Sequence, residues 1–215
     1  MQSLGIIAQP KAGTLDDADV TLSVLQQRIR GCRLCAGRFG TTTTAHEPRP
    51  VVWFGTRPRI LIASQAPGMR VHEKGLPFWD RSGDRLRDWM GVDRDTFYDR
   101  SRVSILPTAF CFPGYGPKGD DLPPPAVCWR TWHAACLAEI GPARLRLIVG
   151  GHALRRHLGL RGPVTPAVRD WARHAPQTFP LPHPSWRNTA WLKANPWFEA
   201  ETLPALRAAV AAALA

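Results

Sequence analysis

A chain of 215 residues with 44% hydrophobic side chains can bury one core of α/β size, with at most a small appendage beside it. That apolar share excludes wholesale disorder, and no uninterrupted apolar run approaches the roughly 18 residues of a membrane span. Lys and Arg total 28 against 17 Asp and Glu, and this net charge of +11, mostly arginine, suits a polyanionic partner such as nucleic acid.

The first fifteen residues, punctuated by Pro10 and Gly13, read as a loose tail, and 16–215 as a single domain. The opening stretch has no basic segment followed by a long apolar one, so a cytoplasmic chain, nucleoid-associated through DNA, is expected. A monomer is expected. The first helix covers about 16–30, with Leu22, Val24, Leu25 and Ile29 as its apolar face. Strands are expected at "RILIAS" (59–64), "VSILP" (103–107), "LRLIVG" (145–150) and "TFPLP" (178–182). Short Ile/Leu/Val runs of this kind fit a parallel sheet buried on both faces. Helices are expected after the first three, at 82–91, 123–141 and 151–160, and a last one from Glu199 to Ala215. Strand–helix alternation argues for an α/β sandwich, whose ligands sit beyond the carboxyl ends of the strands.

Five cysteines punctuate the chain. Cys32 and Cys35 form a C-x-x-C pair, Cys111 follows the second strand, and Cys128 lies 17 positions later near a helix start. Such a 2+2 set can supply four thiolates to one metal or cluster, and spacing alone leaves zinc, an iron–sulfur cluster and plain reduced thiols open. Cys136 falls on an apolar helix face and reads as core packing.

Two loops carry the polar chemistry. "SQAPGMRVHEKGLPF" follows the first strand as an extended polar loop. In it Gln65 and Ala66 lead to Pro67, which stiffens the chain, and Gly68, which lets a ligand approach the backbone closely. His72 and Glu73 are the titratable groups best placed to orient or activate a water, and Phe78 can offer a ring face to a flat ligand. "LPHPSWRNTAW" follows the last strand, with His183 held between two prolines and Ser185, Arg187 and Asn188 behind it.

Taken in order, these pieces resemble a known family. Residues 25–200 look like the uracil-DNA glycosylase superfamily, nearest the iron–sulfur branch called family 4. The resemblance rests on Cys32/Cys35, the strand into "QAPG", the seven-residue step to Gly75, "PFWDRSG", the strand into Cys111, then Cys128, "GGHAL" and "HPSWRN". It implies a three-layer sandwich around a four-stranded parallel sheet and a groove for DNA holding uracil or an abasic site. It further implies a structural 4Fe-4S cluster on Cys32, Cys35, Cys111 and Cys128. The implied chemistry is base flipping and hydrolysis of the N-glycosidic bond, without lyase activity. Backbone amides at Ala66 and Gly68 would meet uracil oxygens, Phe78 would stack on the ring, and His183 would hydrogen-bond uracil O2 as negative charge develops. Ser185, Arg187 and Asn188 lie where the family inserts its minor-groove loop.

The chain departs from the family pattern at three points. Gln65 stands where family 4 has an acid, so Glu73, His72 or Asp80 is left to activate water. Asp80 itself replaces a family glycine in the base pocket. Pro107 stands where an Asn normally reads the uracil amide edge, which implies a broader choice of base. The alternative that these departures support is a catalytically weak binder of abasic or single-stranded DNA.

Overall fold

The computed structural model describes residues 17–215, with side chains from residue 21 onward, so the expected 1–15 tail lies outside the described residues. In chain order the elements are α1 (Asp17–Arg30), α2 (Ala36–Gly40), β1 (Ile60–Ser64), α3 (Met69–Lys74), α4 (Arg81–Met90), α5 (Arg94–Phe97) and β2 (Val103–Pro107). Then come α6 (Ala126–Ile140), β3 (Leu145–Val149), α7 (Gly151–His157), α8 (Val164–Arg169), β4 (Thr178–Leu181), α9 (Thr189–Ala194) and α10 (Leu203–Leu214).

The four strands form one parallel sheet in the order β2-β1-β3-β4. Every residue of β1 and β2 is buried, as continuous apolar runs covered on both faces require. Ile60, Ile62, Ile105, Leu147 and Phe179 pack on one face against Leu86 and Met90 of α4 and Leu206 and Val210 of α10. Leu61 and Leu106 pack on the other against Leu25 and Ile29 of α1 and Cys136 and Ile140 of α6. The free edge of β2 is covered where Ile105 N–H donates to the Trp53 carbonyl at 2.7 Å, which blocks edge-to-edge pairing. No described helix is long and apolar enough to cross a membrane.

Several expected boundaries shift, each for a local reason. The strand expected at 145–150 stops at Val149 because Gly150 turns to φ 85°, and the one expected to 182 stops at Leu181, before Pro182. The helix expected from residue 123 begins at Ala126, since a residue that precedes proline is pushed out of the helical region. The stretch from Glu199 divides into a wide turn over Phe198–Thr202 and then α10, with a proline in its first turn. Val24 is 49% exposed, so the buried stripe of α1 is carried by Leu25 and Ile29. Residues 69–74, expected as loop, wind into α3 and stop at Gly75, whose φ of 72° suits glycine.

Candidate active site

The strand order places β1 and β3 side by side at the point where the chain stops building the sheet in one direction and starts in the other. Crevices open beyond the carboxyl ends of strands at such a point. A cleft of about 860 Å³ lies there, within the size range of small-ligand sites. Gln65, Ala66, Pro67 and Gly68 after β1, Pro107 at the end of β2 and His183 after β4 all line it. Phe78, Asp80, Ser185, Arg187 and Asn188 line it too.

The segment around Phe78 is fixed by its neighbours. Phe78 sits at φ 54°, a conformation bulky residues avoid, so its surroundings must hold it there. Tyr98 donates to the Pro77 carbonyl at 2.9 Å, and Arg87 reaches toward the Phe78 carbonyl at 3.4 Å. Gly83 is packed so tightly that an added Cβ would lie 1.7 Å from that same carbonyl oxygen. One edge of the Phe78 ring packs on Phe97, centroids 6.0 Å apart, while the residue also forms a wall of the cleft. Asp80 accepts from Gly83 N–H at 2.9 Å and caps α4. The "PFWDRSG" stretch is thus a rigid wall ending in a capped helix.

His183, which also lines the cleft, stands between Pro182 and Pro184, and the Asn188 amide donates to its carbonyl at 2.6 Å. Arg85 of α4 donates to the Ser185 carbonyl at 2.9 Å, tying this loop to the Phe78 wall. Burial lowers the His183 pKa, and the charges of Asp80 and then Asp121 oppose that shift. The imidazole therefore favours its neutral form and can still donate one N–H.

Not all the expected site residues meet here. His72 and Glu73 of α3 are not among the residues that line the cleft, whereas Met69, Arg70 and Val71 of the same helix are. His72 packs edge-on to His46 at 5.1 Å and tilted against Phe112, while the Glu73 carbonyl accepts from Arg49 at 2.9 Å. The Gln65 side chain turns to the floor of the cleft, where a Cβ on Gly150 would lie 2.9 Å from its Cδ. Its Oε1 lies 3.5 Å from the His152 amide, a long contact. Asn188 uses its amide inside the loop. Pro107 is buried and brings no polar group, and the neighbouring Thr108 hydroxyl donates to the Ser64 carbonyl at 2.8 Å.

Sequence reasoning missed Asp121 and Trp186. Asp121 lies in a turn-like "KGDDL" stretch that reads as solvated loop, yet it lines the cleft and pairs with Arg187 at 3.0 Å. Trp186, 68% exposed at the mouth, was legible only as one of nine tryptophans.

The four cysteines come together away from the cleft. Cys32, Cys35, Cys111 and Cys128 line one small apolar cavity with Phe39, Pro48 and Trp132. Burial pushes Cys111 up to about 12 and Cys128 up to about 11, and neighbouring thiols add to both shifts. Among the described residues no group of three or more His, Cys, Asp or Glu stands close enough together to hold a metal ion. Cys136 is fully buried among apolar residues, as expected.

An α/β sheet with a cleft at its switch point, lined by an aromatic ring and a proline-flanked histidine, defines an α/β protein with a small-ligand cleft. The family model of the uracil DNA glycosylase superfamily matches residues 52–207, and the chain belongs to that superfamily. The match takes in every cleft-lining residue but Val51 and begins after Cys32 and Cys35. The superfamily consists of DNA glycosylases, hydrolases of DNA repair.

Proposed function

We propose that this protein flips uracil, and other deaminated bases of similar shape, out of DNA and hydrolyses the N-glycosidic bond to leave an abasic site. The observation that carries the reading is the single cleft shared by the 65–68 backbone, the Phe78 ring and His183. The flipped base lies against Phe78, with its oxygens toward the Ala66 and Gly68 amides. Neutral His183 donates its N–H to uracil O2 as that oxygen gains charge with the breaking of the bond at C1′. Water activation falls to Asp80, which lines the cleft and whose charge acts on His183, whereas His72 and Glu73 do not line it. The water oxygen bonds to C1′ and gives up a proton, while the bonding pair leaves with the base. Trp186 and Arg187, at the mouth, suit the space vacated in the duplex.

The family 4 assignment rests on the four thiols around one cavity. These residues would hold a 4Fe-4S cluster, whose role would be structural, tying the α1–α2 segment to the β2–α6 connection. A purified brown protein with four iron and four sulfide per chain, in the sense of [4Fe-4S] stoichiometry, supports it, and iron-free protein of unchanged stability counts against it.

Pro107 and the inward-turned Gln65 favour a second reading, a weak catalyst that retains abasic or single-stranded DNA. A uracil-containing oligonucleotide incubated with protein and then treated with alkali separates the two. Strand cleavage that disappears in His183→Ala supports the hydrolase, and gel retention without cleavage supports the binder.

A further inference from the structure

The end of the molecule opposite the cleft carries a cationic surface. Three strands begin directly after an arginine, at Arg59-Ile60, Arg102-Val103 and Arg144-Leu145. Ile60 is in register with both Val103 and Leu145, so Arg102 and Arg144 flank Arg59 on neighbouring strands. Backbone bonds fix the row: Ile60 N–H donates to the Arg102 carbonyl at 2.9 Å and Leu145 N–H to the Arg59 carbonyl at 3.1 Å. At about 4.8 Å between strands, three guanidinium roots fall within about 10 Å. Arg57 and Arg100, both exposed, flank the same strand starts, and Arg100 lies over the Trp53 ring at 4.0 Å.

Little on the protein neutralises this row. Arg102 pairs with Asp99 at 3.3 Å, but among the described residues Arg57, Arg59, Arg100 and Arg144 join no ion pair. One Arg59 guanidinium nitrogen is buried without an acceptor. Like charges gathered this way raise the free energy of the isolated protein and are relieved by a dense anionic partner. We propose that this surface binds a second segment of DNA through its phosphates, so that one molecule bridges two duplexes. The partner is chosen on the superfamily's DNA substrate and on arginine's fit to phosphate. One straight stretch of duplex cannot reach both sites, which lie at opposite ends of five-residue strands about 16 Å long at ~3.3 Å per residue.

The test is capture of a labelled uracil-free duplex by an immobilised uracil-free duplex in the presence of the protein. Wild type should bridge them, and Arg57→Glu/Arg100→Glu/Arg144→Glu should lower capture by about tenfold or more, with a steeper loss as salt rises in the wild type. Excision from a uracil oligonucleotide and the thermal melt should stay as in wild type, and the corresponding triple Lys variant should still bridge. If the Glu variant melts early, the triple Gln variant is read in the same assays. A wild type that does not bridge, or a charge-removed variant that bridges as well as wild type, overturns the proposal. Bridging by a wild type that excises nothing would refute the glycosylase reading alone.

Discussion

Arg187 and Asp121 meet at 3.0 Å across the mouth of the cleft, one from the loop after β4 and the other from the β2–α6 connection. Both are half-exposed, so the pair is held weakly and a DNA phosphate can replace the carboxylate. Asp121→Asn is therefore expected to tighten binding to uracil-free duplex severalfold. Arg187→Ala should weaken it for every sequence and reduce the slope of log affinity against log salt by about one. Anisotropy titrations across a salt series measure both, and an Asp121→Asn variant that binds more weakly than wild type would count against this exchange.

Asp80 has two separable tasks, capping α4 and facing His183. Asparagine caps helices about as well as aspartate but carries no base. Asp80→Asn should keep the wild-type melting temperature and lose about 10²-fold or more in single-turnover excision. Asp80→Ala should lose activity and also about 1 kcal/mol of stability. Full activity in Asp80→Asn would move water activation to another group.

If His183 donates to uracil O2 as proposed, His183→Ala should lose about 10²–10³ in rate, the usual worth of one such donor. Because Asn188 and Arg85 hold the loop through backbone carbonyls, the variant should fold and still bind DNA. A loss confined to binding, with an unchanged chemical step, would argue against the role given to the imidazole.

Gly83→Ala tests the rigid wall. An added methyl would sit 1.7 Å from the Phe78 carbonyl, so Phe78 or the start of α4 must move. We expect a loss of several kcal/mol or an insoluble product, at the severe end of single substitutions. A soluble variant with wild-type stability and activity would show that the wall is not fixed in this way.

The sheet was legible because four short apolar runs can only be strands covered on both faces, and the register then followed from packing. The two cleft walls were legible as loops because proline and glycine mark strand ends. The inward side of α3 was not: six residues with one buried apolar side chain, Val71, give no periodic signal, so His72 and Glu73 looked free to face a ligand. Asp121 was hidden for a related reason. Its contact with Arg187 spans 66 positions, and nothing local in "KGDDL" announces a partner that distant. Gly83 and Gly150 each allow close approach of another part of the chain, the Phe78 carbonyl and the Gln65 side chain, and nothing local in the sequence marks either contact.

Two histidines outside the cleft give the protein a predictable acid response. Burial lowers both, His133 to about 4, with the His157 charge contributing, and His157 to about 4, with Arg146 contributing. The His157 Nε2 is buried without a partner, and the carbonyls that approach His133 make no hydrogen bond to either ring nitrogen. In the unfolded chain both titrate near ~6.5. Between that value and about 4 the unfolded state therefore binds protons that the folded state refuses, so stability falls as pH falls through this window. Above it the two residues are neutral in both states and have no effect, and below it their penalty is constant. The slope should approach, at most, about 1 kcal/mol per pH unit for each histidine. Thermal melts between pH 7 and pH 5 should show a steady drop, in a range where most carboxylates remain ionised. His157→Phe keeps a ring beside Trp129 and removes one titrating group, so its melting temperature should depend less on pH. A wild type whose melting temperature stays level over that range would mean that water reaches these rings in the folded state.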